Sequence, residues 1–497
     1  MVSESAPEFD TLLDRVRSVI PAESPQLYVV GGAVRDLLLS RPIHDMDFAV
    51  AEGVIPLARR VANALHAAFF LLDEERETAR VILTGQDDQR IFLDFAILRG
   101  PDLETDLRSR DFTINAMALP VAPNQELIDP LGGAEDLRKG LIRPCSASAF
   151  HDDPVRVLRA VRFAAALNFR LLPATLQGIR QAAGELPRVS PERVRDELFH
   201  ILGGARPESA LRVMGHLHVL PVVFPELPDE KGVTQSPPHE FDVWTHTLGV
   251  VDHLQSVLDV LTLPFNPDAA ANLALGQVSL RLGKFRQQVD AHLREQLIPG
   301  RSVRDLLFFS ALYHDAGKPG TRQVEPDGRI RFFNHETLGA QIAMQRASAL
   351  RLSNQEIEWL GKVIRNHLRP MLLAQADGNP SRRAVYRFFR DTGSAGIDVC
   401  LLSLADVLGT YGPALPQNVW EHHLEVVRTL LEGFWERPAE VVSPPPLVNG
   451  DDLMQQFSLQ PGPQIGRLLE LIREAQAAGE ITGREDALNL ARENLMD

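Results

Sequence analysis

The sequence has 497 residues, of which 44% are hydrophobic and 24% are charged, and its formal net charge is −15 at pH 7. This composition is typical of a folded protein, and at roughly 150 residues per domain the length predicts about three domains. The acidic balance excludes a surface that is basic throughout, which an indiscriminate nucleic-acid binder needs.

No window of the sequence approaches the ~18 consecutive apolar residues that a membrane helix requires, and the first residues, MVSESAPEFD, are acidic. We therefore expect a cytoplasmic protein without a membrane partner. The two cysteines, Cys145 and Cys400, lie far apart in the sequence, so we expect neither a disulfide framework nor a cysteine metal site.

The first part of the chain alternates short apolar runs with helical segments between residues 27 and 145, which predicts an α/β unit. A helical period follows from about residue 154 to 225. Asp153 can cap its first helix and Pro154 suits the first helical position, so we expect a helix to begin there.

Two breaks divide the second half of the chain. LPDEKGVTQSPPHEF at 227–241 has the composition of a linker, and the pattern beyond it is helical to about residue 410, with an extra stretch near 265–300. VVSPPPLVNG at 441–450 forms the second break and precedes a short helical tail.

Two aspartates interrupt the apolar strand pattern MDFAV. Because side chains alternate along a strand, Asp45 and Asp47 project to one face while Met46 and Phe48 project to the other. Paired carboxylates repel each other unless a cation lies between them, and they are ordinary ligands of Mg²⁺ bound with substrate phosphates. The pattern indicates a metal and triphosphate site, with an exposed strand edge or a loop as the alternative.

Residues on either side of this strand extend the candidate site. Gly31 and Gly32 lie where a strand turns into a helix, so their backbone N–H groups can face phosphate oxygens, although glycine pairs are also common turn devices. Arg35, one turn on, is placed to add a charged contact. Asp94 interrupts the apolar run IFLDFAIL, where an unpaired carboxylate is costly, so we expect it to meet a metal, a donor or a catalytic proton.

A local reversal of charge follows the α/β unit. Between Arg156 and Arg195 there are eight arginines, opposed only by Glu185 and Glu192. This segment indicates a surface that binds a polyanion, with solvated helix faces as the alternative.

Five ordered stretches together resemble the motifs of one enzyme family. GGAVRDLLLSRPIHDMDFAV at 31–50 is similar to the first motif of the class II nucleotidyltransferases, which are the tRNA CCA-adding enzymes and bacterial poly(A) polymerases of the polymerase-beta superfamily. The stretches that resemble the second to fifth motifs are RDFTINAMA at 110–118, DPLGGAEDLRKGLIR at 129–143, DDPVRVLRAVRF at 152–163 and PERVRDEL at 191–198.

For the first site this resemblance implies a two-metal phosphoryl transfer, in which Asp45 and Asp47 hold Mg²⁺ and Asp94 is a third ligand or a proton acceptor. It also implies that Arg110 and Asp111 contact the incoming nucleotide, with the aspartate at the ribose 2′-hydroxyl. The nucleotide-binding residues that we predict are Gly31, Gly32, Arg35, Arg110, Asp111, Asn115, Asp153, Arg156, Arg159 and Arg162.

The fourth motif implies that side chains select the base in place of a nucleic-acid template. Asp153 and Arg156 occupy the places of the family's pair that hydrogen-bonds the Watson–Crick edges of CTP and ATP. Arg159 and Arg162 continue a ridge at intervals of three residues, and Asp152 departs from the family's usual glutamate. The residues that we assign to the helical fifth motif, on the RNA side, are Glu192, Arg193 and Arg195.

Histidines and aspartates recur in five later segments. His246, the pair His314 and Asp315, and Asp406 match the ligand pattern of an HD domain, which the chain resembles here, so a divalent metal is implied. Imidazole and carboxylate ligands suit Mn²⁺, Ni²⁺, Fe²⁺ or Mg²⁺. A purely structural helical shell is the alternative. The candidates for additional ligands or phosphate contacts are His335 and His367.

The resemblance implies a multidomain α+β fold. It consists of a polymerase-beta-like nucleotidyltransferase head, with a mixed sheet and helices, followed by an all-α neck and body and an all-α HD domain. The boundaries that we expect are 1–150 for the head, 151–225 for the nucleotide-selecting and RNA-binding neck and body, 226–410 for the HD domain and 411–497 for a C-terminal helical tail.

The function that follows is template-independent addition or repair of the 3′-terminal CCA of tRNA from CTP and ATP. An enzyme restricted to CC or to A, or a poly(A) polymerase, is the alternative, because family members differ in their RNA-binding surfaces and in a flexible loop, for which LLDEERETARVIL at 71–83 is the candidate. A rival of another class is an HD phosphohydrolase, a 2′,3′-cyclic phosphodiesterase or phosphatase, whose head only binds a nucleotide.

Overall fold

The computed structural model describes residues 5–20, 26–43, 45–84, 90–122, 126–270, 272–376 and 378–496. The chain divides into two compact units. The first consists of Met1–Glu197 and His216–Val222, and the second of Leu198–Gly215 and Val223–Asp497. The division into four domains that the sequence suggests stays a prediction.

A six-stranded mixed sheet forms the centre of the first unit, with the strand order β3-β4-β5-β2-β1-β6. β2 runs parallel to β5, and the other neighbouring pairs are antiparallel. The strands are β1 (Leu27–Val30), β2 (Asp45–Val50), β3 (Ala68–Asp73), β4 (Thr78–Thr84), β5 (Arg90–Ile97) and β6 (Ala118–Pro120), and a separate parallel pair is formed by β7 (Leu141–Ile142) and β8 (Arg170–Leu171). The mixed sheet with helices that we expected is confirmed.

Helix α3 shows how a helix of the first unit buries one face. In α3 the buried residues Val54, Leu57, Ala58 and Val61 follow the helical period, so one stripe packs inward. The helices are α1 (Ser5–Ser18), α2 (Gly32–Leu38), α3 (Val54–Ala64), α4 (Leu103–Ser109), α5 (Gly133–Lys139), α6 (Ala149–Asp152), α7 (Arg156–Leu167), α8 (Pro173–Ala182) and α9 (Pro191–Leu202), whose last residues belong to the second unit.

The alternation predicted for MDFAV is present in β2. Asp45 and Asp47 are exposed, whereas Met46 and Phe48 are each 1% exposed. Phe48 stacks on Phe95 of β5 with ring centroids 4.7 Å apart, which anchors the apolar side of the strand. The polar side of β2 is thereby fixed toward the cavity described below.

The candidate loop segment at 71–83 is a β-hairpin. Residues 71–73 end β3, residues 78–83 belong to β4, and only residues 74–77 join the two strands. Within the segment Leu71 pairs with Ala79 and Asp73 pairs with Thr78, so the backbone is paired as sheet on both sides of the turn.

The helix start predicted at Asp153 and Pro154 is wrong by a few residues. Helix α7 begins at Arg156 with Val155 as its N-cap residue, and no side chain caps it. Asp153 instead ends α6 in an extended conformation, and its carboxylate accepts a hydrogen bond of 2.7 Å from Arg193. The carboxylate that we expected to cap α7 therefore binds an arginine that is distant in the sequence.

The second unit is almost entirely helical, and a two-stranded sheet of β9 (Arg322–Val324) and β10 (Ile330–Phe332) interrupts it. Two helices, α10 (Pro207–His216) and α11 (Leu220–Val223), cross the boundary between the units. The helices that follow are α12 (Val243–Leu261), α13 (Leu273–Leu282), α14 (Arg286–Arg294), α15 (Val303–Tyr313), α16 (Lys318–Thr321), α17 (His335–Ala349), α18 (Asn354–Asn366), α19 (Arg369–Ala374), α20 (Arg382–Thr392), α21 (Ala395–Tyr411), α22 (Gln417–Trp435), α23 (Pro438–Val441), α24 (Gly450–Phe457), α25 (Pro463–Ala478) and α26 (Arg484–Met496).

Helix α21 lies in the core of the second unit. Ala395–Ala414 is long and apolar enough, by length and composition, to cross a membrane, but 83% of its apolar window is buried within the protein. This burial is typical of a core helix. The helical tail expected after the proline-rich break at 441–450 is present as α24, α25 and α26.

The segment expected to be a linker at 227–241 is only partly one. It starts with a short 3₁₀ helix, Leu227–Glu230, and Leu227 and Glu230 are fully buried. The extra stretch near 265–300 forms α13 and α14, and the indole N–H of Trp420 in α22 donates a hydrogen bond of 3.3 Å to the carbonyl oxygen of Ala274.

Candidate functional site

A cavity of about 710 Å³ lies in the first unit beside β2. It brings together residues from four of the five stretches that resemble family motifs; the third stretch, at 129–143, does not line it. The residues expected at the catalytic and nucleotide sites that line it are Gly31, Gly32, Arg35, Asp45, Asp47, Asp94, Arg110, Asp111, Asn115, Asp153, Arg156, Arg159 and Arg162, together with Arg193. The set that we predicted from separate motifs therefore shares one space.

Three carboxylates stand on two adjacent strands at one wall of this cavity. Asp47 and Asp94 are directly opposite each other in the parallel pair of β2 and β5, and Asp45 lies two residues before Asp47 on the same face. Although the side chain of Asp47 is open to the cavity, the surrounding protein removes part of its hydration and so raises its pKa; the charges of Asp94 and Asp45 raise it further, against the opposing charge of Arg110. Carboxylates that disfavour one another's charge fit a divalent cation, which relieves the repulsion.

Arg80 of β4 fixes the third carboxylate. Its Nε and Nη2 atoms donate hydrogen bonds of 2.7 Å to Oδ1 and Oδ2 of Asp94, and the two residues are directly opposite in the antiparallel pair of β4 and β5. This two-point contact holds the carboxylate plane in one orientation. The donor that we expected for Asp94 is thus an arginine of the neighbouring strand.

Gly31 allows the chain to turn closely past the carboxylates. Its φ angle is +75°, and a Cβ atom at this position would lie 3.2 Å from Nη1 of Arg110 and 3.2 Å from Oδ2 of Asp47. Both the backbone conformation and the space favour glycine. Gly32 is the first residue of the short helix α2, so the predicted turn from strand to helix is present.

A chain of hydrogen bonds connects the second and fourth motifs. Arg35 donates a hydrogen bond of 2.8 Å to Asn115, and Asn115 donates one of 3.2 Å to Asp111. Arg159 donates two, of 2.6 and 2.8 Å, to the same Oδ2 atom of Asp111. Burial opposes the charge of Asp111, but the Arg159 guanidinium lowers its pKa below the usual range. These paired charges therefore fix Arg159 of α7 against Asp111 at the cavity.

The two residues assigned to base selection stand near each other at the cavity. Arg193 holds Asp153, and Arg156 donates hydrogen bonds of 2.8 Å and 3.2 Å to the carbonyl oxygens of Ser109 and Ala149. Their side chains are thus oriented before any ligand binds. Of the fifth motif, Arg193 lines the cavity, whereas Glu192 and Arg195 do not; Glu192 is exposed and Arg195 pairs with Asp196 at 2.8 Å.

The histidines and aspartates of the second unit form one buried cluster. Five helical segments contribute: His246 lies in α12, His314 and Asp315 follow α15, His335 begins α17, His367 follows α18 and Asp406 lies in α21. None of the six side chains belongs to a residue more than 9% exposed. In the described part of the chain these residues fall into two groups suited to a metal ion, His246 with His314 and Asp315, and Asp315 with His335 and His367.

Backbone carbonyls orient three of these rings. The Nδ1 atoms of His314, His335 and His367 lie 2.8, 2.7 and 2.7 Å from the carbonyl oxygens of Ala311, Phe332 and Ile364. Donation from Nδ1 leaves the lone pair on Nε2, which is the arrangement of metal-binding histidines. The Nε2 atoms of the three rings make no hydrogen bond of good geometry within the described residues.

Family models match four parts of the chain: the poly A polymerase head domain at residues 27–143, the RNA and SrmB-binding site of polymerase A at 168–230, the HD domain at 243–410 and tRNA nucleotidyltransferase domain 2 at 437–491. The sequence is 32% identical to an A-adding tRNA nucleotidyltransferase of Deinococcus radiodurans, over 95% of this chain and 96% of that one. The chain belongs to the tRNA nucleotidyltransferase family.

Two further comparisons agree with this membership of the tRNA nucleotidyltransferase family. A CC-adding tRNA nucleotidyltransferase of Geobacter sulfurreducens is 32% identical over 93% of this chain and 90% of its own. A solved complex of a CCA-adding enzyme with ATP shares the fold, with a TM-score of 0.62 at 21% identity over 98% of this chain and 96% of that one. Both the head and the HD domain suggest the use of divalent metal ions.

Sequence analysis missed several residues of the nucleotidyltransferase site. Arg80, Asp106 and Glu197 each fix a predicted residue, because Arg80 holds Asp94, Asp106 holds Arg110 at 3.0 Å, and Glu197 accepts from Arg162 at 2.7 Å. Arg110 directly follows α4, four residues after Asp106, and this spacing was a usable signal.

Sequence analysis also missed three residues beside the HD cluster, of which Lys318 and Glu230 are buried and His239 is half-buried. Lys318 lies 2.6 Å from Oδ2 of Asp315, three residues after it, a spacing that HDAGK displays. His239 lies against His246 with ring centroids 5.2 Å apart, and burial lowers its pKa to about 4. Burial and the charge of Asp315 raise the pKa of Glu230 to about 8, and no local pattern marked this residue.

Proposed function

We propose that this chain transfers nucleotides from CTP and ATP to the 3′ end of tRNA and so builds or repairs its terminal CCA. The observation that carries the proposal is the cavity in which Asp45, Asp47 and Asp94 share one space with the arginines of α7. A nucleoside triphosphate needs positive charge around its phosphates, which carboxylate-bound Mg²⁺ and arginines both supply.

The proposed reaction is an attack of the tRNA 3′-hydroxyl oxygen on the α-phosphorus of the nucleotide. The new P–O bond forms as the bond to the β-phosphate breaks, and pyrophosphate leaves. Asp45 and Asp47 would hold Mg²⁺, which when bound activates the hydroxyl and stabilises the charge on the leaving group. Asp94, oriented by Arg80, is the third ligand or the acceptor of the hydroxyl proton, and Arg110 neutralises phosphate charge.

Base selection is assigned to Asp153 and Arg156. Asp153 offers a carboxylate acceptor that Arg193 holds at 2.7 Å, and Arg156 offers guanidinium donors tied to the backbone of α4 and α6. Together they present acceptors and donors to a base edge, so the pairing that a template supplies elsewhere is supplied here by side chains.

Incubation with tRNA that lacks its last one, two or three nucleotides tests this function, with CTP, ATP, GTP and UTP each supplied separately. We expect incorporation of C, C and A in the order that restores CCA, and no incorporation by the Asp47→Asn variant. Activity of that variant close to that of the parent enzyme would overturn the proposed site.

An enzyme restricted to CC or to A is the second candidate. It is supported because the two relatives compared over almost the whole chain are an A-adding and a CC-adding enzyme. In the segment at 71–83, where we expected the flexible loop of the family, only residues 74–77 lie outside the two strands. The same experiment identifies each alternative. Addition that stops after CC identifies a CC-adding enzyme, and addition that requires a CC end identifies an A-adding enzyme. Addition that continues as a long A tail identifies a poly(A) polymerase.

We propose in addition that the HD cluster binds a divalent metal ion, with Mn²⁺, Ni²⁺, Fe²⁺ and Mg²⁺ as the suitable ions and His246, His314, Asp315 and Asp406 as the first set of ligands. Support comes from buried Nε2 atoms that carry lone pairs and have no hydrogen bond among the described residues. Hydrolysis of 2′,3′-cyclic phosphate by the metal-loaded protein, lost in Asp315→Asn, would identify the phosphohydrolase alternative.

The proposed function fits a division into a head (1–150), a helical neck and body (151–225), an HD domain (226–410) and a tail (411–497). Its support is that the head and HD family models fall within the first and third of these ranges. Since the proposed substrate is tRNA, we propose the cytoplasm as the site of action.

A further inference from the structure

A second cavity of the first unit combines an apolar floor with positively charged side chains. It has a volume of about 450 Å³, and its lining includes Ala68 and Phe70 of β3 and Ile82 of β4. Arg15 and Arg90 also line it. Both arginines are exposed, and neither makes an ion pair with another residue in the part of the chain that the structure describes. We call this space the β3 groove.

The β3 groove lies on the face of the sheet that carries the three carboxylates. Phe70 is directly opposite Arg80 in the pair of β3 and β4, and Arg80 is opposite Asp94. Asp94 is in turn opposite Asp47. Because directly opposite residues share one face and neighbouring strands are about 4.8 Å apart, Phe70 lies about 10 Å from Asp94 along this row. Phe70, which is 50% exposed, therefore extends the carboxylate row to the edge of the sheet.

A second row of residues also leads from the carboxylates to the groove. Asp45 is directly opposite Phe92 of β5, and Phe92 is opposite Ile82 of β4. The guanidinium of Arg80 lies 5.1 Å from the centroid of the Phe92 ring. The surface between the carboxylates and the groove is therefore apolar, with a cation placed over its aromatic ring.

The geometry of in-line phosphoryl transfer assigns this surface to the acceptor strand. β1 and β5 flank β2 on opposite sides. A Cβ atom on Gly31, which directly follows β1, would lie 3.2 Å from Nη1 of Arg110 and 3.2 Å from Oδ2 of Asp47, so the proposed phosphate contacts lie on the β1 side. The attacking and leaving oxygens lie on opposite sides of the phosphorus. The attacking hydroxyl therefore approaches from the β5 side, and the strand behind it crosses β4 and β3.

We propose that the β3 groove binds the unpaired nucleotides of the RNA at the attacking 3′-hydroxyl. Phe70 offers a ring on which a base stacks, and Arg15 and Arg90 bind backbone phosphates. Stacking tolerates every base and positive charge follows the backbone, so the groove holds the strand without reading its sequence. This inference rests on the nucleotide addition proposed above and adds a place for the acceptor strand.

Charge favours RNA over an apolar peptide in the β3 groove. An apolar peptide would cover Phe70 and Ile82 but would provide no acceptors for Arg15 and Arg90. An RNA strand provides a flat base and a phosphate at each nucleotide, as grooves that bind single strands require. RNA therefore matches both the floor and the charged lining.

Substitutions of Phe70 in the full-length chain test the stacking, in addition assays on the tRNA end that the parent extends. Phe70→Ala and Phe70→Leu should raise the KM for the RNA about tenfold, because a base loses its aromatic partner, and should change the KM for the nucleotide much less. Phe70→Tyr keeps the ring and should restore the parent KM. Leu71→Ala is the matched control, since Leu71 is 44% exposed on the same strand but opposite the buried Ala79, on the other face.

A fluorescent base provides a readout that does not depend on turnover. 2-Aminopurine replaces the unpaired base that follows the acceptor stem, and the labelled RNA is mixed with the protein without nucleotide. Stacking on Phe70 should quench the emission. The quenching should persist in Phe70→Tyr and Leu71→Ala and should be lost in Phe70→Leu, whose side chain is apolar but has no ring.

Arg15→Gln combined with Arg90→Gln tests the phosphate contacts. The Kd for the same RNA is measured over a series of salt concentrations. Each lost contact with a single strand lowers the slope of log Kd against log salt by about 0.7, so the double variant should lose about 1.4. Arg60→Gln, at an exposed arginine of α3 outside the lining of the groove, is the control and should keep the parent slope.

These measurements separate failure of the groove from failure of the proposed function. Equal KM and quenching in Phe70→Leu and Leu71→Ala, or equal salt slopes in the double variant and Arg60→Gln, would overturn the inference with an active parent and leave the groove to an apolar partner. A parent that adds no nucleotide to any tRNA end would overturn the proposed function and this inference with it. Circular dichroism and the Tm verify that each variant is folded.

Discussion

Arg80 and Asp94 face each other across β4 and β5, joined by two hydrogen bonds of 2.7 Å. The pair lies beside Asp47, so the third carboxylate of the cavity is oriented by a residue that does not line it. Arg80 is thus a positioning residue, and its importance depends on the carboxylate that it holds.

Arg80→Met should lower nucleotide addition by about tenfold, equivalent to about 1.4 kcal/mol in the transition state. Asp94 would lose its fixed orientation, and the negative charge around Asp47 would increase. We expect the Mg²⁺ concentration needed for half-maximal activity to shift more than the KM for CTP. Arg76→Met, at an arginine of the same hairpin whose side chain is 84% exposed, is the control and should behave as the parent.

Asp47→Asn should abolish nucleotide addition and yet raise the free energy of unfolding in the absence of Mg²⁺. Because partial desolvation and the neighbouring carboxylates raise the pKa of Asp47 in the folded chain, its ionisation disfavours folding. The stability of the parent should therefore fall as the pH rises above the ordinary carboxyl range, and that part of the decline should be missing in the variant. Thermal melting between pH 4 and 7 of both proteins, without metal and with Mg²⁺, measures this difference. If the parent and the variant had the same melting curves at every pH, the repulsion between Asp47 and its neighbouring carboxylates would be contradicted.

Arg159→Ala should destabilise the first unit by about 2 kcal/mol, less than the 3–5 kcal/mol for a wholly buried pair because the Arg159 side chain is 34% exposed. Asp111 would be left buried without its main partner. In the parent the lowered pKa of Asp111 gives stability that is present above the ordinary carboxyl pKa and is lost as the pH falls through the lowered value.

The difference in stability between the parent and Arg159→Ala should therefore be largest at pH 7 and should shrink as the pH falls, because protonation of Asp111 in the variant removes the uncompensated buried charge. Urea unfolding at pH 7 measures the loss of stability, and urea unfolding repeated at lower pH measures how the difference shrinks. The control is Arg188→Ala, an exposed arginine paired with Glu185, for which neither quantity should change appreciably.

Asp153→Ala should reduce the discrimination of CTP and ATP against GTP and UTP by about tenfold or more, since the acceptor offered to the base edge is removed. Fidelity rather than total incorporation is the quantity to compare, by kcat/KM for each nucleotide on tRNA ending before its CCA. Arg170→Ala alters an exposed arginine of the basic segment and serves as the matched variant. Equal fidelity in Asp153→Ala and the parent would remove Asp153 from base selection.

The residues that sequence reasoning placed well are those whose position follows from local periodicity. The two-residue spacing of Asp45 and Asp47 determines that they share a face, and an apolar run interrupted by Asp94 indicates a neighbouring strand. The hydrogen bonds of Arg80 to Asp94 depend on the register of two strands, which the composition of either strand does not reveal.

Reasoning from nearest neighbours failed where a distant residue determines the contact. Asp153 was expected to cap α7, but Arg193 of α9 holds its carboxylate, and the helix starts later. Glu230 lies in a segment whose composition resembles a linker, and the packing of the second unit buries it completely. In both cases the tertiary environment outweighs the local preference.

The direct pairing of Asp47 with Asp94 makes the length of β2 and β5 as important as their composition. Deleting one residue from either strand, upstream of its aspartate, would displace the pairing by one position and rotate a carboxylate into the apolar layer that Phe48 and Phe95 now fill. Such a deletion would disturb folding and chemistry together, whereas a substitution of Asp47 leaves the register of the two strands unchanged. We expect homologous chains to vary in length at the turns of this sheet and to keep the register between β2 and β5.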